Sequence, residues 1–281
     1  MELDEQTIKK IVSRVMEQLS TKQEGSGGLS KAGAVSGSSV GRGSGEGVFT
    51  SIEDAIKSAE KAFEKFRDMS LEGRKKIIAA MRKAALENAE RLGKMAVETT
   101  GLGKMPDKML KAILAAEKTP GVEDLESKTW TGDHGMTLVE MAPYGVIGSI
   151  TPTTNPVSTI INNSISMVAA GNSVVFNPHP SARLVSNETV RVLNRAIAEV
   201  FRLEEGVYLL NSIEQPTLES SGQLMKHPAI RLLCVTGGGE VVKLAMTSGK
   251  KVIAAGPGNP PVIVDETADI PRAAKAIVDG A

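Results

Sequence analysis

The sequence predicts an α/β fold: a parallel sheet with helices on both faces, preceded by an amphipathic helix and a flexible linker. Three observations carry this. Short β-rich runs alternate with amphipathic helices after Pro143. The runs are continuously apolar, as in strands buried on both faces. Each is followed by a loop rich in Gly, Pro, Asn or Thr, where a strand would hand over to a helix.

In chain order, residues 3–19 place Ile8, Ile11, Val12, Val15, Met16 and Leu19 in one apolar stripe at helical spacing. Asp4 and Glu5 sit near its start, where the helix dipole favours anions. A helix this short is marginal alone in water, so residues 1–19 are expected to dock, onto a partner or back onto their own body; a frayed terminus is the remaining reading. Residues 20–47 form a Gly/Ser-rich linker with no periodicity. Its central part, about 23 residues, reaches roughly 25–30 Å as a flexible coil. The body then spans 48–281. Helix-period apolar residues predict helices over 51–67, 71–95 and 104–118, separated by turn signals at Ser70, Gly101 and Gly103. Residues 128–142, with Trp130, Gly132, Asp133 and Gly135 before T-L-V-E-M, read as a short β excursion around a turn. The remaining strands are predicted at 146–150, 174–176, 207–210, 230–235, 251–255 and 261–264. The intervening helices are predicted at 157–170, 182–201, 217–225 and 240–248.

Composition narrows the function. Thirty-three basic and 33 acidic residues cancel, and no Lys/Arg cluster offsets that balance, which argues against a nucleic-acid-coating protein. No apolar run reaches the roughly 18 residues of a membrane helix, and the N-terminus lacks a secretory pattern. One cysteine, Cys234, excludes an intramolecular disulfide and a multi-cysteine zinc site, and fits a reducing compartment.

In a parallel α/β sheet, ligands bind beyond the carboxyl ends of the strands. The loops there read T-P-T-T-N-P (151–156), N-P-H-P-S-A (177–182), T-G-G-G-E (236–240) and G-P-G-N-P-P (256–261). Thr236, Gly237, Gly238 and Gly239 follow an apolar strand and open a helix, which turns free backbone N–H groups toward one point, a phosphate or pyrophosphate cradle. A tight turn without a ligand explains them equally, since neither G-x-G-x-x-G nor a Walker loop is present. Asn155 is either an oxyanion-hole donor or the cap of the helix that follows.

Taken together and in this order, these loops resemble the aldehyde dehydrogenase superfamily, and more narrowly the CoA-acylating aldehyde dehydrogenases of bacterial microcompartments. The resemblance is carried by T-P-G-V-E-D-L (119–125), P-Y-G-V-I-G-S-I-T-P-T-T-N-P (143–156), I-I-N-N-S-I-S-M-V-A-A-G-N-S-V-V-F (160–176), N-P-H-P-S-A, V-T-G-G-G-E (235–240) and A-G-P-G-N-P-P-V-I-V-D-E-T-A-D (255–269). It implies a Rossmann-type NAD-binding domain and NAD-dependent oxidation of acetaldehyde or propionaldehyde to the acyl-CoA, with coenzyme A as co-substrate. It makes Asn155 the oxyanion-hole residue, one position away from the usual P-W-N-F-P arrangement. Thr151, Pro152, Thr153, Thr236, Gly237, Gly238 and Gly239 then line the cofactor cleft, with Gly256, Pro257 and Gly258 opposite. His179, with Pro180 and Ser181, is placed near the adenosine or incoming CoA; a solvated loop histidine is the alternative. The N-terminal helix and linker resemble an encapsulation peptide that binds shell or cargo protein, placing the enzyme in the bacterial cytoplasm inside a microcompartment. A homo-oligomer is implied for the full-length enzyme.

Two further implications concern chemistry. Hydrolytic relatives use a Glu to activate water, whereas residues 256–259 read Gly-Pro-Gly-Asn and offer no general base, which favours acyl transfer to a thiol. The family's nucleophilic cysteine is expected beyond Ala281, so this chain reads as an N-terminal portion, inactive alone and without the catalytic domain. Cys234, inside the apolar L-L-C-V run, is expected to be a buried, inert thiol. The competing expectations are the aldehyde half of a bifunctional aldehyde–alcohol dehydrogenase and a non-catalytic microcompartment-docking protein.

Overall fold

The computed structural model describes residues 45–256, 258 and 261–280. The predicted helix 1–19 and nearly all of the linker 20–47 lie outside them.

Chain entry is a two-residue strand, β1 (Val48–Phe49), followed by four helices: α1 (Ile52–Phe66), α2 (Leu71–Glu87), α3 (Ala89–Thr100) and α4 (Met105–Lys118). Ser51 and Ser70 start α1 and α2 by accepting from the Asp54 and Gly73 N–H groups. The single helix expected over 71–95 is two helices. Asn88 leaves helical geometry (φ −104°, ψ 2°) and its side-chain amide donates to the Ala84 carbonyl at 2.9 Å. Asn competes for backbone carbonyls in this way, which a hydrophobic period cannot register. Helix α3 ends at Gly101, at φ +69°.

Strands β2 (Lys128–Gly132) and β3 (Gly135–Val139) form an antiparallel hairpin, the expected β excursion, exposed along its whole length. The main sheet follows with β4 (Val146–Thr151), α5 (Pro156–Ala169), β5 (Ser173–Pro178), α6 (Arg183–Val200), β6 (Leu210–Ile213), α7 (Leu218–Lys226), β7 (Ile230–Thr236), α8 (Gly239–Met246) and β8 (Lys251–Ala255). Helix α9 (Ile270–Gly280) ends the described chain. All six strands are parallel, in the order β1-β6-β5-β4-β7-β8. From β4 the chain winds outward through β5 and β6, then crosses back to lay β7 and β8 on the other side. The β4–β7 boundary is therefore the topological switch point.

Alternation along β5 splits the core between the two faces. Val174 and Phe176 pack with Phe66, Ile77, Leu92, Ile160 and Leu193, while Val175 packs with Ile56, Val146, Leu224 and Leu233.

Two expected strands are corrected. The one placed at 207–210 runs Leu210–Ile213. Its Asn211 and Ser212 are polar but fully buried, and they are satisfied: Ser58 Oγ donates to Asn211 at 2.7 Å, and Ser212 Oγ donates to Asn187 at 2.6 Å. Hydrophobicity points to Val207–Leu209 because it cannot see such pairs. The second, 261–264, has no ladder partner among the described residues, and Ile263 is 93% exposed. β-branched residues form a strand only where a neighbour supplies hydrogen bonds.

Candidate functional site

The four loops selected from the sequence lie along one edge of the sheet, at the carboxyl ends of β5, β4, β7 and β8 in that spatial order. Two bonds tie the edge together. The His179 N–H donates to the Thr151 carbonyl at 3.0 Å, and the Gly237 N–H donates to the Ala255 carbonyl at 3.2 Å.

At the switch point, Thr151 is 2% exposed and its hydroxyl oxygen has no partner, while Pro152 and Thr153 stand half-buried beside it. Across from them, Thr236 leads into the glycine turn. Gly238 (φ −64°) precedes α8, and the Val241 and Val242 N–H groups fold back onto its carbonyl, so the N–H groups of Gly239 and Glu240 have no acceptor in the helix. None of the three glycines has a left-handed φ, and an added Cβ would meet nothing within 4 Å at Gly238 or Gly239 and only Val241 Cβ, at 4.0 Å, at Gly237. The fold itself does not require glycine here. What the three residues leave is an open cradle lined by backbone N–H groups, which fits a phosphate or pyrophosphate.

Asn155 occupies the cap position of α5, and its carbonyl accepts from the Thr159 N–H at 3.1 Å, yet its side chain caps nothing. Instead its Oδ1 accepts from Lys111 Nζ at 3.4 Å. A cleft of about 530 Å³ opens between α4 and α5, and Asn155, Thr236 and Lys111 line it with Thr159 and Asn162. A polar chain runs behind: Thr119 donates to Asn162 (3.0 Å), Asn162 to Asn163 (3.1 Å), and Asn163 to Ser149 Oγ (3.1 Å).

The outer loops are simpler. His179 is exposed, and its Nδ1 accepts from the Ser181 N–H at 3.2 Å, capping the short turn Pro180–Ala182. Asn177 is turned inward: it donates to Ser221 Oγ and accepts from Ser220 Oγ, both at 2.7 Å, pinning the start of α7. Gly256 and Gly258 are exposed beyond β8, and Pro257 lies outside the described residues. Cys234 sits on β7 opposite Ser149, half-buried, and burial pushes its thiol up. Such a thiol is a poor nucleophile, as its apolar setting in the sequence implies.

Sequence reasoning predicted α4 as a helix but missed its place beside the site. Its buried face is Lys108, Ala112 and Ala116, a lysine in register with two alanines. A charged residue on an otherwise small, buried stripe was the available signal. Burial and the neighbouring Lys111 lower the Lys108 pKa.

Open, doubly wound α/β sheets bind their ligands beyond the strand ends at the switch point, and that is where this chain has its polar crevice. Comparison with known proteins makes this specific. Residues 43–281 match the aldehyde dehydrogenase family, and the chain belongs to that family. An acetylating acetaldehyde dehydrogenase of Bilophila wadsworthia is 45% identical over 282 residues, covering all of this chain and 56% of the relative. The solved structure of a propionaldehyde dehydrogenase from the Clostridium phytofermentans fucose-utilisation microcompartment is 51% identical, with a TM-score of 0.78, over 83% of this chain and 53% of that one. A Rhodopseudomonas palustris propionaldehyde dehydrogenase, solved with CoA and an acylated cysteine, is 47% identical with a TM-score of 0.79, over 84% of this chain and 54% of that one. The chain thus spans about half the length of the relatives it matches. Among the described residues no helix is long and apolar enough to cross a membrane.

Proposed function

We propose that this chain supplies the dinucleotide-binding part of a CoA-acylating aldehyde dehydrogenase. In this reading a short aliphatic aldehyde, NAD and CoA give the acyl-CoA, NADH and a proton. The observation that carries it is the pairing, at one switch point, of the open Gly237–Gly239 cradle with an Asn155 side chain that does not cap its helix.

The residues have separate tasks. The N–H groups at the start of α8 hold the pyrophosphate of NAD, whose nicotinamide accepts the hydride. Thr151, Pro152, Thr153 and Thr236 wall the cleft, and Asn155 Nδ2 donates to the aldehyde oxygen as negative charge develops on it. Gly256, Pro257 and Gly258 bring no carboxylate to the opposite side, so water is not activated there and the acyl group survives for CoA. His179, Pro180 and Ser181 border the adenosine end. The nucleophilic thiolate is assigned to no residue of these 281, since Cys234 is unsuited to the role.

Residues 3–19 are proposed to bind a shell or cargo protein, which places the enzyme inside a bacterial microcompartment in the cytoplasm. The reading is supported by their apolar stripe, by the Gly/Ser run that follows, and by the microcompartment source of one relative.

The test of the reaction is NADH formation from acetaldehyde or propionaldehyde by the enzyme that carries this chain. Acyl-CoA as product, with an absolute need for CoA, supports the reading; free acid formed without CoA overturns it. For the tag, residues 1–20 fused to a reporter should concentrate in compartments, and replacing Ile11 and Val15 by Glu should disperse it. A diffuse reporter from the unmodified tag overturns that part.

A further inference from the structure

Two lysines, Lys108 buried and Lys111 exposed, reach the loop that carries Asn155. Lys108 and Lys111 lie one turn apart on α4 and so share a face. Lys108, 8% exposed, donates from Nζ to the Thr154 carbonyl. Lys111 donates to Asn155 Oδ1 at 3.4 Å. Among the described residues neither ammonium has a carboxylate within ion-pair distance. A buried cation without a counter-ion costs stability unless its protons are well used.

The fold makes room for it. A Cβ on Gly103, which sits at φ +75°, would lie 2.8 Å from Lys108 Cε. A Cβ on Gly93 of α3 would lie 2.9 Å from the Met109 nitrogen, so that glycine lets α4 seat closely against α3. Both glycines therefore favour the placement of Lys108 under the 152–155 loop.

An ammonium has donors and no acceptor, so it can hold only the oxygen end of an amide. With Oδ1 taken by Lys111, the two Nδ2 protons of Asn155 are the free end, and no acceptor for them exists among the described residues. We propose that Lys108 and Lys111 are positioning residues: Lys108 fixes the backbone at Thr154, and Lys111 selects the Asn155 rotamer that leaves its NH2 group free to donate to an oxyanion. The proposal rests on Asn155 being that donor.

NMR of the 281-residue chain tests it without turnover, so its failure is distinct from failure of the proposed reaction. In Lys111→Met the two Asn155 Nδ2 proton shifts should converge and the side-chain order parameter should fall below about 0.6, the flexible range, while Lys111→Arg retains the unmodified values. An Asn155 amide unchanged in Lys111→Met overturns the proposal. For Lys108 the measurement is made on the unmodified protein, because Lys108→Met is at risk of not folding. A through-hydrogen-bond coupling from Lys108 Nζ to the Thr154 carbonyl carbon is expected. A Lys108 ammonium signal lacking that coupling overturns its part.

Discussion

Replacing Gly239 by Ala separates what the glycine turn does for the fold from what it does for a ligand. Gly239 is the first residue of α8, its φ is not left-handed, and the new methyl meets nothing within 4 Å. Folding should therefore become more favourable, by about 0.4–1 kcal/mol, because Ala loses less backbone freedom than Gly. For a body of this size that raises Tm by roughly 1–3 °C. Binding should move the other way. A phosphate oxygen bonds to a backbone N–H at about 2.9 Å, and a methyl group beside the Gly239 nitrogen stands in its approach. Losing one hydrogen bond to a charged group costs about 1.5–3 kcal/mol, which is on the order of 10- to 150-fold in Kd. The assay is thermal denaturation followed by circular dichroism, with NAD titrated calorimetrically into both proteins. A lower Tm without ligand would show that the fold needs this glycine. An unchanged NAD affinity would show that the turn does not cradle phosphate. Either result refutes the reasoning.

Other substitutions test the supports of the cleft. Arg82 donates to the carbonyls of Ala116 (2.6 Å), Glu117 (2.9 Å) and Thr119 (2.6 Å), closing the end of α4, and it lies 3.4 Å from Glu123. Arg82→Met should cost about 2–3 kcal/mol, because it leaves carbonyls of a partly buried helix end unpaired; urea denaturation measures it, and a loss under about 0.5 kcal/mol would refute the capping role. The Cys234 thiol is raised in the folded chain by burial, so its contribution to stability is complete below the unfolded thiol pKa of about 8.5 and is lost as pH rises above it. Melting from pH 7 to pH 10 should therefore destabilise the unmodified protein more than Cys234→Ala, and an equal loss in the two would contradict the burial.

The body's elements were legible where one local signal dominates. Ser51 and Ser70 stand before apolar helical periods, and Gly101 stops α3 with a positive φ, as a glycine in that place should. Apolar runs located β4, β5 and β7 because these parallel strands are buried on both faces, and the same signal located β8 although that edge strand is largely exposed among the described residues. Such reasoning fails where polar residues are buried in pairs. Asn211 and Ser212 hide β6, and Asn177 at the end of β5 looks like a loop residue while it anchors α7. In each case the satisfying partner lies tens of residues away.

For the candidate site, the sequence by itself located the four loops, because each follows an apolar strand run and is rich in Gly, Pro, Asn or Thr, and both signals are local. It left the role of Asn155 between a cap and an oxyanion donor, since the two demand the same residue at the same place. Only the tertiary structure shows that the Asn155 side chain makes no cap bond and is reached instead by Lys111 from α4, 44 residues upstream. Sheet order was likewise a tertiary outcome. Strand identity follows from apolar runs, but which strands are neighbours depends on where each crossover packs, and that alone put Thr151 and Thr236 on adjacent strands.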